Sequence, residues 1–228
     1  MRQNEQVVER SVEIPPAGVA ANLGIPVDAK GLVIFAHGSG SSRLSSRNQF
    51  VAAVLQQHGL ATLLLDLLTA QEEQIDLRTR RLRFDIDLLA TRVVEATKWS
   101  AEHRELGGLP ITYFGASTGA AAALIAAADL PDTIRAVVSR GGRPDLAGPA
   151  LSRVKAPTML IVGGDDTPVI ELNEQALNQL QCEKKLEIVP GATHLFEEPG
   201  TLEQVATLAS GWLVDHISTK FHVRSSTT

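Results

Sequence analysis

Residues 111–128 constrain the fold more than any other segment of this chain. Ile111-Thr-Tyr-Phe-Gly115-Ala-Ser117-Thr-Gly119 runs straight into Ala120-Ala-Ala-Ala-Leu-Ile-Ala-Ala-Ala128. The pattern predicts a buried strand, a sharp turn bearing one serine, and a helix of small residues, the setting of a G-x-S-x-G turn. Gly115 and Gly119 permit turn torsions and a strand–helix approach that a side chain would obstruct. Ser117 is thereby held out at the end of a sheet, at a helix N-terminus whose unpaired N–H groups favour the negative charge that develops when a serine attacks a carbonyl. The same serine also suits a plainer role, capping the helix that follows it.

The rest of the chain alternates in the same way. Short apolar runs predict strands near 31–36, 61–66, 110–115, 135–139, 158–163 and 184–189, most of them buried on both faces. Helices are predicted near 46–58, 84–104, 118–129, 170–180 and 201–217. This βαβα order implies a mostly parallel sheet covered by helices on both faces. Residues 7–14 and 19–25 flank the turn-forming Pro15-Pro16-Ala17-Gly18 and predict an antiparallel hairpin leading into the sheet. No repeat, low-complexity tract or linker divides residues 1–228, so one domain is expected, with residues 219–228 as a polar tail.

Composition narrows the partners. The 228 residues are 44% hydrophobic, 21% charged and only 4% aromatic, so the core is built from Leu, Val, Ile and Ala. A net charge of −5 gives no basic surface for nucleic acid and disfavours an anionic membrane. A single cysteine, Cys182, excludes an intramolecular disulfide. No apolar leader follows Met1 and no window of about 18 apolar residues occurs, so a cytoplasmic location is expected.

Three further segments carry the chemistry. Thr158-Met-Leu-Ile-Val162 ends in Gly163-Gly-Asp165-Asp166, and Leu186-Glu-Ile-Val189 leads through Pro-Gly-Ala-Thr to His194. Each places an acid or a histidine just past a strand, in the chain order Ser, Asp, His. An imidazole is suited to take the serine proton and return it to a leaving group. The acid should accept the other ring N–H, and Asp165 and Asp166 both qualify by position. Upstream, Gly31-Leu-Val-Ile-Phe-Ala36 ends in His37-Gly38-Ser39-Gly40-Ser41-Ser42, a loop able to turn the Ser39 N–H toward an oxyanion beside that of Thr118. A phosphate-binding loop is disfavoured there, because no Gly-Lys-Ser/Thr follows and no G-x-G-x-x-G is complete. His37 is expected to stiffen this loop, and His58, His103, His216 and His222 to lie on helical or tail segments. The Asp pair lacks a companion H-x-x-x-H spacing, so no metal and no cofactor are expected.

Together these motifs resemble the α/β-hydrolase family, and within it the small, lidless dienelactone hydrolase-like group, over about residues 30–215. The resemblance implies an α/β-hydrolase fold without a cap domain. It also implies that Ser117 is the nucleophile, Asp166 the triad acid (from the G-x-x-D-x-x-V pattern of 163–169), His194 the base, and the N–H groups of Ser39 and Thr118 the oxyanion hole. Dienelactone hydrolases proper carry cysteine in the elbow, where this chain has serine. The expected activity is hydrolysis of a small carboxylic ester or lactone through an acyl-enzyme. Thioesterase, peptidase or acyltransferase work by the same triad, and a non-catalytic binding module on the same fold, remain as alternatives.

Two charged features complete the reading. Arg43 and Arg47 follow the strand at 31–36, and Arg140 and Arg143 follow the strand at 135–139. Both loops should emerge at the C-terminal edge of the sheet, where guanidinium groups would suit an anionic small-molecule substrate. Residues 68–83 hold Glu72, Glu73, Asp76, Arg78, Arg80, Arg81 and Arg83. That density predicts a solvated helix with i,i+4 charge pairs, or else a cover over the site.

Overall fold

The computed structural model describes residues 7–218, and the polar segment 219–228 considered above, with His222, lies outside them. Eight strands form one sheet in the order β1-β2-β4-β3-β5-β6-β7-β8. The strands are β1 (Val7–Ile14), β2 (Val19–Pro26), β3 (Gly31–Ala36), β4 (Leu60–Leu65), β5 (Ile111–Ala116), β6 (Ile134–Arg140), β7 (Thr158–Gly163) and β8 (Lys184–Val189). β1 pairs antiparallel with β2, and β2 antiparallel with β4. From β4 to β8 every pairing is parallel.

The parallel strands β3, β4, β5 and β7 are buried along their whole length, as continuous apolar runs between two helical layers must be. Side chains alternate between the two faces. Val33, Phe35 and Phe114 face α1 (Ser46–Gln57) and α6 (Thr201–Ser218), whose Val51, Leu55, Val205 and Leu213 complete that core. Leu32, Ile34 and Tyr113 face α3 (Ile86–Glu102) and α4 (Thr118–Asp129) in the other layer. The alanines of α4 are what allow this helix to be buried almost throughout. β8 departs from the expected apolar run: it is the edge strand, and Lys184, Lys185 and Ile188 are exposed.

Between β6 and β7 the chain makes only a 3₁₀ stretch, Pro144–Arg153, broken at Gly148, so no cap domain is inserted there. The acidic and basic segment forms α2 (Ala70–Thr79) and a 3₁₀ turn, Leu82–Phe84, with α5 (Thr167–Gln179) following β7. α2 starts with a reciprocal capping box between Thr69 and Glu72. Its ion pairs correct the i,i+4 expectation. Glu72 reaches Arg92 on α3, 2.8 Å away, and the buried Asp76 clasps Arg83 beyond the helix end. Burial alone would push the Asp76 carboxyl up, but hydrogen bonds from the Arg83 backbone and side chain outweigh it and hold the group below its ordinary value. Among the described residues no helix is long and apolar enough to cross a membrane.

Candidate active site

Ser117 sits where β5 turns into α4, with φ 50° and ψ −122°. Such torsions are costly for a residue with a Cβ, at about 1–3 kcal/mol, and persist only where the surroundings impose them. Here the end of β6 and the residues just after it do so from both sides. The Ser117 N–H donates to the Arg140 carbonyl at 3.3 Å, and the Arg143 N–H donates to the Ser117 carbonyl at 3.0 Å. The flanking glycines allow the close approach. A Cβ at Gly115 would stand 2.4 Å from the Cα of Ala120, and one at Gly119 would stand 2.2 Å from the Ala36 carbonyl oxygen. The Ser117 hydroxyl makes no capping bond to its helix, so the plainer role of a helix cap is not the one it plays.

The acid and the histidine arrive from the ends of β7 and β8. Asp166 accepts a hydrogen bond from His194 Nδ1 at 2.6 Å. Asp165 instead turns its side chain to solvent and spends its N–H on the Ala192 carbonyl, 3.0 Å away. The loop carrying His194 is tied back by Glu198, which accepts from the Thr193 hydroxyl at 2.6 Å and its N–H at 3.1 Å. Ser117 and His194 line one cavity of 270 Å³ with Ser39, Ser41, Ser45, Arg47, Asn48, Arg140 and Leu195. The Thr118 N–H is the first of α4, one of the donors a helix start leaves unpaired.

His37 braces the loop bearing Ser39. Its Nδ1 bonds the Gly38 carbonyl at 2.8 Å, and its Nε2 accepts the Leu67 N–H at 3.2 Å. Burial lowers its pKa, which keeps the ring neutral and both bonds in place at neutral pH. Arg83 reaches the same loop at Gly40, so the α2 segment packs beside the Ser39 loop.

The four candidate arginines separate. Arg47 and Arg140 line the Ser117 cavity. Arg43 does not: its guanidinium is bound by Asp66, just past β4, and by Asn22 within β2, so it ties these two strands together. Arg143 forms a bidentate pair with Asp145, two bonds of 2.8 Å, and contributes only its backbone to the elbow. Asn48 was invisible to motif reasoning, because an asparagine in a helix's first turn has no distinguishing spacing. It is buried in the cavity wall and accepts from Arg140 at 3.3 Å. A larger cavity of 540 Å³ lies between α1 and strands β1, β2 and β4, but its lining holds no histidine or cysteine.

A mostly parallel sheet, a strained serine at a strand–helix turn and an Asp–His pair on the following strand ends define an α/β-hydrolase. The chain belongs to the dienelactone hydrolase family, whose family model matches residues 19–212. It is similar to a solved dienelactone hydrolase from Anabaena variabilis, with 61% identity and a TM-score of 0.89 over 92% of this chain and 98% of that one. It is also 57% identical over 209 residues to a Mycobacterium tuberculosis protein provisionally named a phosphoribosyl transferase. That match covers 92% of this chain and 46% of the mycobacterial protein, so the chain spans about half the length of the curated relatives it matches. Est1E of Butyrivibrio proteoclasticus, at 16% identity and a TM-score of 0.75 over 92% of this chain and 99% of that one, shares the fold.

Proposed function

We propose that this protein is a serine hydrolase that cleaves a small, anionic carboxylic ester or lactone. The observation that carries the reading is the strained Ser117, free of any capping bond, in one cavity with a histidine whose far nitrogen is held by a carboxylate. The Asp166 bond keeps the proton on His194 Nδ1 and leaves Nε2 free to accept. As Ser117 Oγ attacks the carbonyl carbon, its proton passes to Nε2 and the carbonyl oxygen becomes an oxyanion. The N–H groups of Ser39 and Thr118 receive that charge, aided by the positive end of α4. Nε2–H then protonates the leaving alkoxide as the C–O bond breaks, giving an acyl-enzyme. A water repeats the sequence, releasing the acid and restoring Ser117. Arg47 and Arg140 support the anionic character of the substrate, and the absence of a cap between β6 and β7 supports its small size. The transferase name belongs to a protein of which this chain covers 46%.

A fluorophosphonate probe tests the reading directly, because only an activated serine reacts with it. Wild-type protein should be labelled and should hydrolyse short esters. Ser117→Ala should lose both while keeping its melting temperature, and His194→Ala should lose nearly as much activity, since triad members act as a unit. Retained turnover in Ser117→Ala would overturn the assignment.

A further inference from the structure

Arg140 is a cation where cations are seldom left alone. Its side chain is 6% exposed, its Nε has no hydrogen-bond partner, and no carboxylate pairs with it among the described residues. What holds it is neutral: the Asn48 amide oxygen and the ring of Phe196, 5.9 Å from the guanidinium. A buried guanidinium without a counterion is expensive, and its natural complement is an anion that arrives with the ligand. Burial, together with the nearby charge of Arg47, lowers the Arg140 pKa to about 10, which still leaves it charged at neutral pH.

The same wall of the cavity supplies more positive potential. Arg47 lines it, also with an unpartnered Nε, and among the described residues its one carboxylate partner is Glu197, a largely exposed residue 3.1 Å away. Both Arg47 and Asn48 belong to the first turn of α1, a turn without acidic residues. The N–H groups of Ser46 and Arg47 are among those a helix start leaves unpaired, and the capping Ser45 keeps its hydroxyl proton to donate. A carboxylate has two oxygens and one charge, and a single guanidinium satisfies it bidentately. Two guanidiniums converging with a helix N-terminus offer more charge and more directions of donation than that. A tetrahedral dianion uses all of them.

We infer that the Arg47–Arg140 wall with the α1 N-terminus is a phosphomonoester subsite, so that the ester cleaved at Ser117 carries a terminal phosphate group. This rests on the hydrolase reading proposed above. Since the subsite and Ser117 share 270 Å³, only a few carbons separate the phosphate from the scissile carbonyl.

The test is calorimetric titration of folded Ser117→Ala protein with three ligands of one frame: phenyl phosphate, benzenesulfonate and benzoate. Phenyl phosphate should bind one to one and about tenfold or more tightly than benzoate, with benzenesulfonate, tetrahedral but singly charged, in between. Adding Arg140→Met should weaken phenyl phosphate about tenfold or more. Arg47→Met, at a more exposed position, does the same should the Arg140 variant fail to fold. Benzoate binding as tightly as phenyl phosphate, or phosphate binding that survives both arginine substitutions, would overturn the inference. Because Ser117→Ala is used, the result is independent of turnover. Phosphate binding in a protein whose wild type is neither labelled by fluorophosphonate nor active on esters would support the subsite while removing the hydrolase reading. Ester hydrolysis without phosphate binding would do the reverse.

Discussion

At the scale of single residues, the two adjacent aspartates show how little separates a carboxylate bonded to His194 from one turned to solvent. Asp165 and Asp166 share a loop, a charge and a strand end, yet only Asp166 bonds His194. Asp166→Asn should therefore lower kcat by a factor on the order of 10⁴, the size of loss known for the equivalent change in a serine protease, because the histidine loses its tautomer. Asp165→Asn, exposed and bonded through its backbone alone, should change kcat less than about twofold. Steady-state kinetics on one short ester decide between them, and the reverse ranking would move the acid to Asp165. The arginines teach the same lesson with less warning. Arg43 and Arg47 are four positions apart, and nothing local says that one is captured by Asp66 and Asn22 while the other meets the cavity.

At the scale of elements, the site depends on how closely α4 is pressed against the end of β3. Gly119 lies against the carbonyls of Ala36 and His37, the residues that launch the Ser39 loop. Gly119→Ala should cost about 1–3 kcal/mol by overpacking, measured by urea unfolding, and should lower kcat as well by pushing the Ser39 and Thr118 N–H groups apart. A variant as active and stable as wild type would show that the contact is not needed. These elements were the legible part of the sequence. Apolar runs placed the inner parallel strands β3, β4, β5 and β7 within about a residue or two, because burial on both faces leaves no choice of pattern. The elbow, the Asp-bearing loop and His194 were legible because each sits at a strand end in a fixed chain order. Side-chain partnerships across the fold were not. The Glu72–Arg92 and Asp76–Arg83 pairs, and the seat of Arg140 between Asn48 and Phe196, join segments whose proximity arises only once the sheet and helices have assembled.

At the scale of the whole molecule, charge is distributed against its average. The chain carries a net −5, yet the Ser117 cavity is lined by two arginines. An anionic substrate is thus repelled weakly at long range and attracted strongly within the last few ångströms. Salt screens exposed charges over a Debye length of about 10 Å at 0.1 M. Raising ionic strength from about 0.02 to 0.5 M should lower kcat/KM for an anionic ester severalfold if the local field dominates, and leave a neutral ester of equal size nearly flat. A rise for the anionic ester would show that the global charge governs instead.

The hydrogen bonds that hold Ser117 in its strained turn come from Arg140 and from Arg143, the two ends of one short stretch of chain. Ser117 and the buried cation are therefore built as one piece, and random substitution along 140–143 disturbs both at once. The α1 side of the cavity carries no such burden. A library diversified at Ser45 and Arg47 can change which substrates are accepted while the turn that presents the serine stays as it is, and an engineer seeking a new preference in this scaffold would begin there.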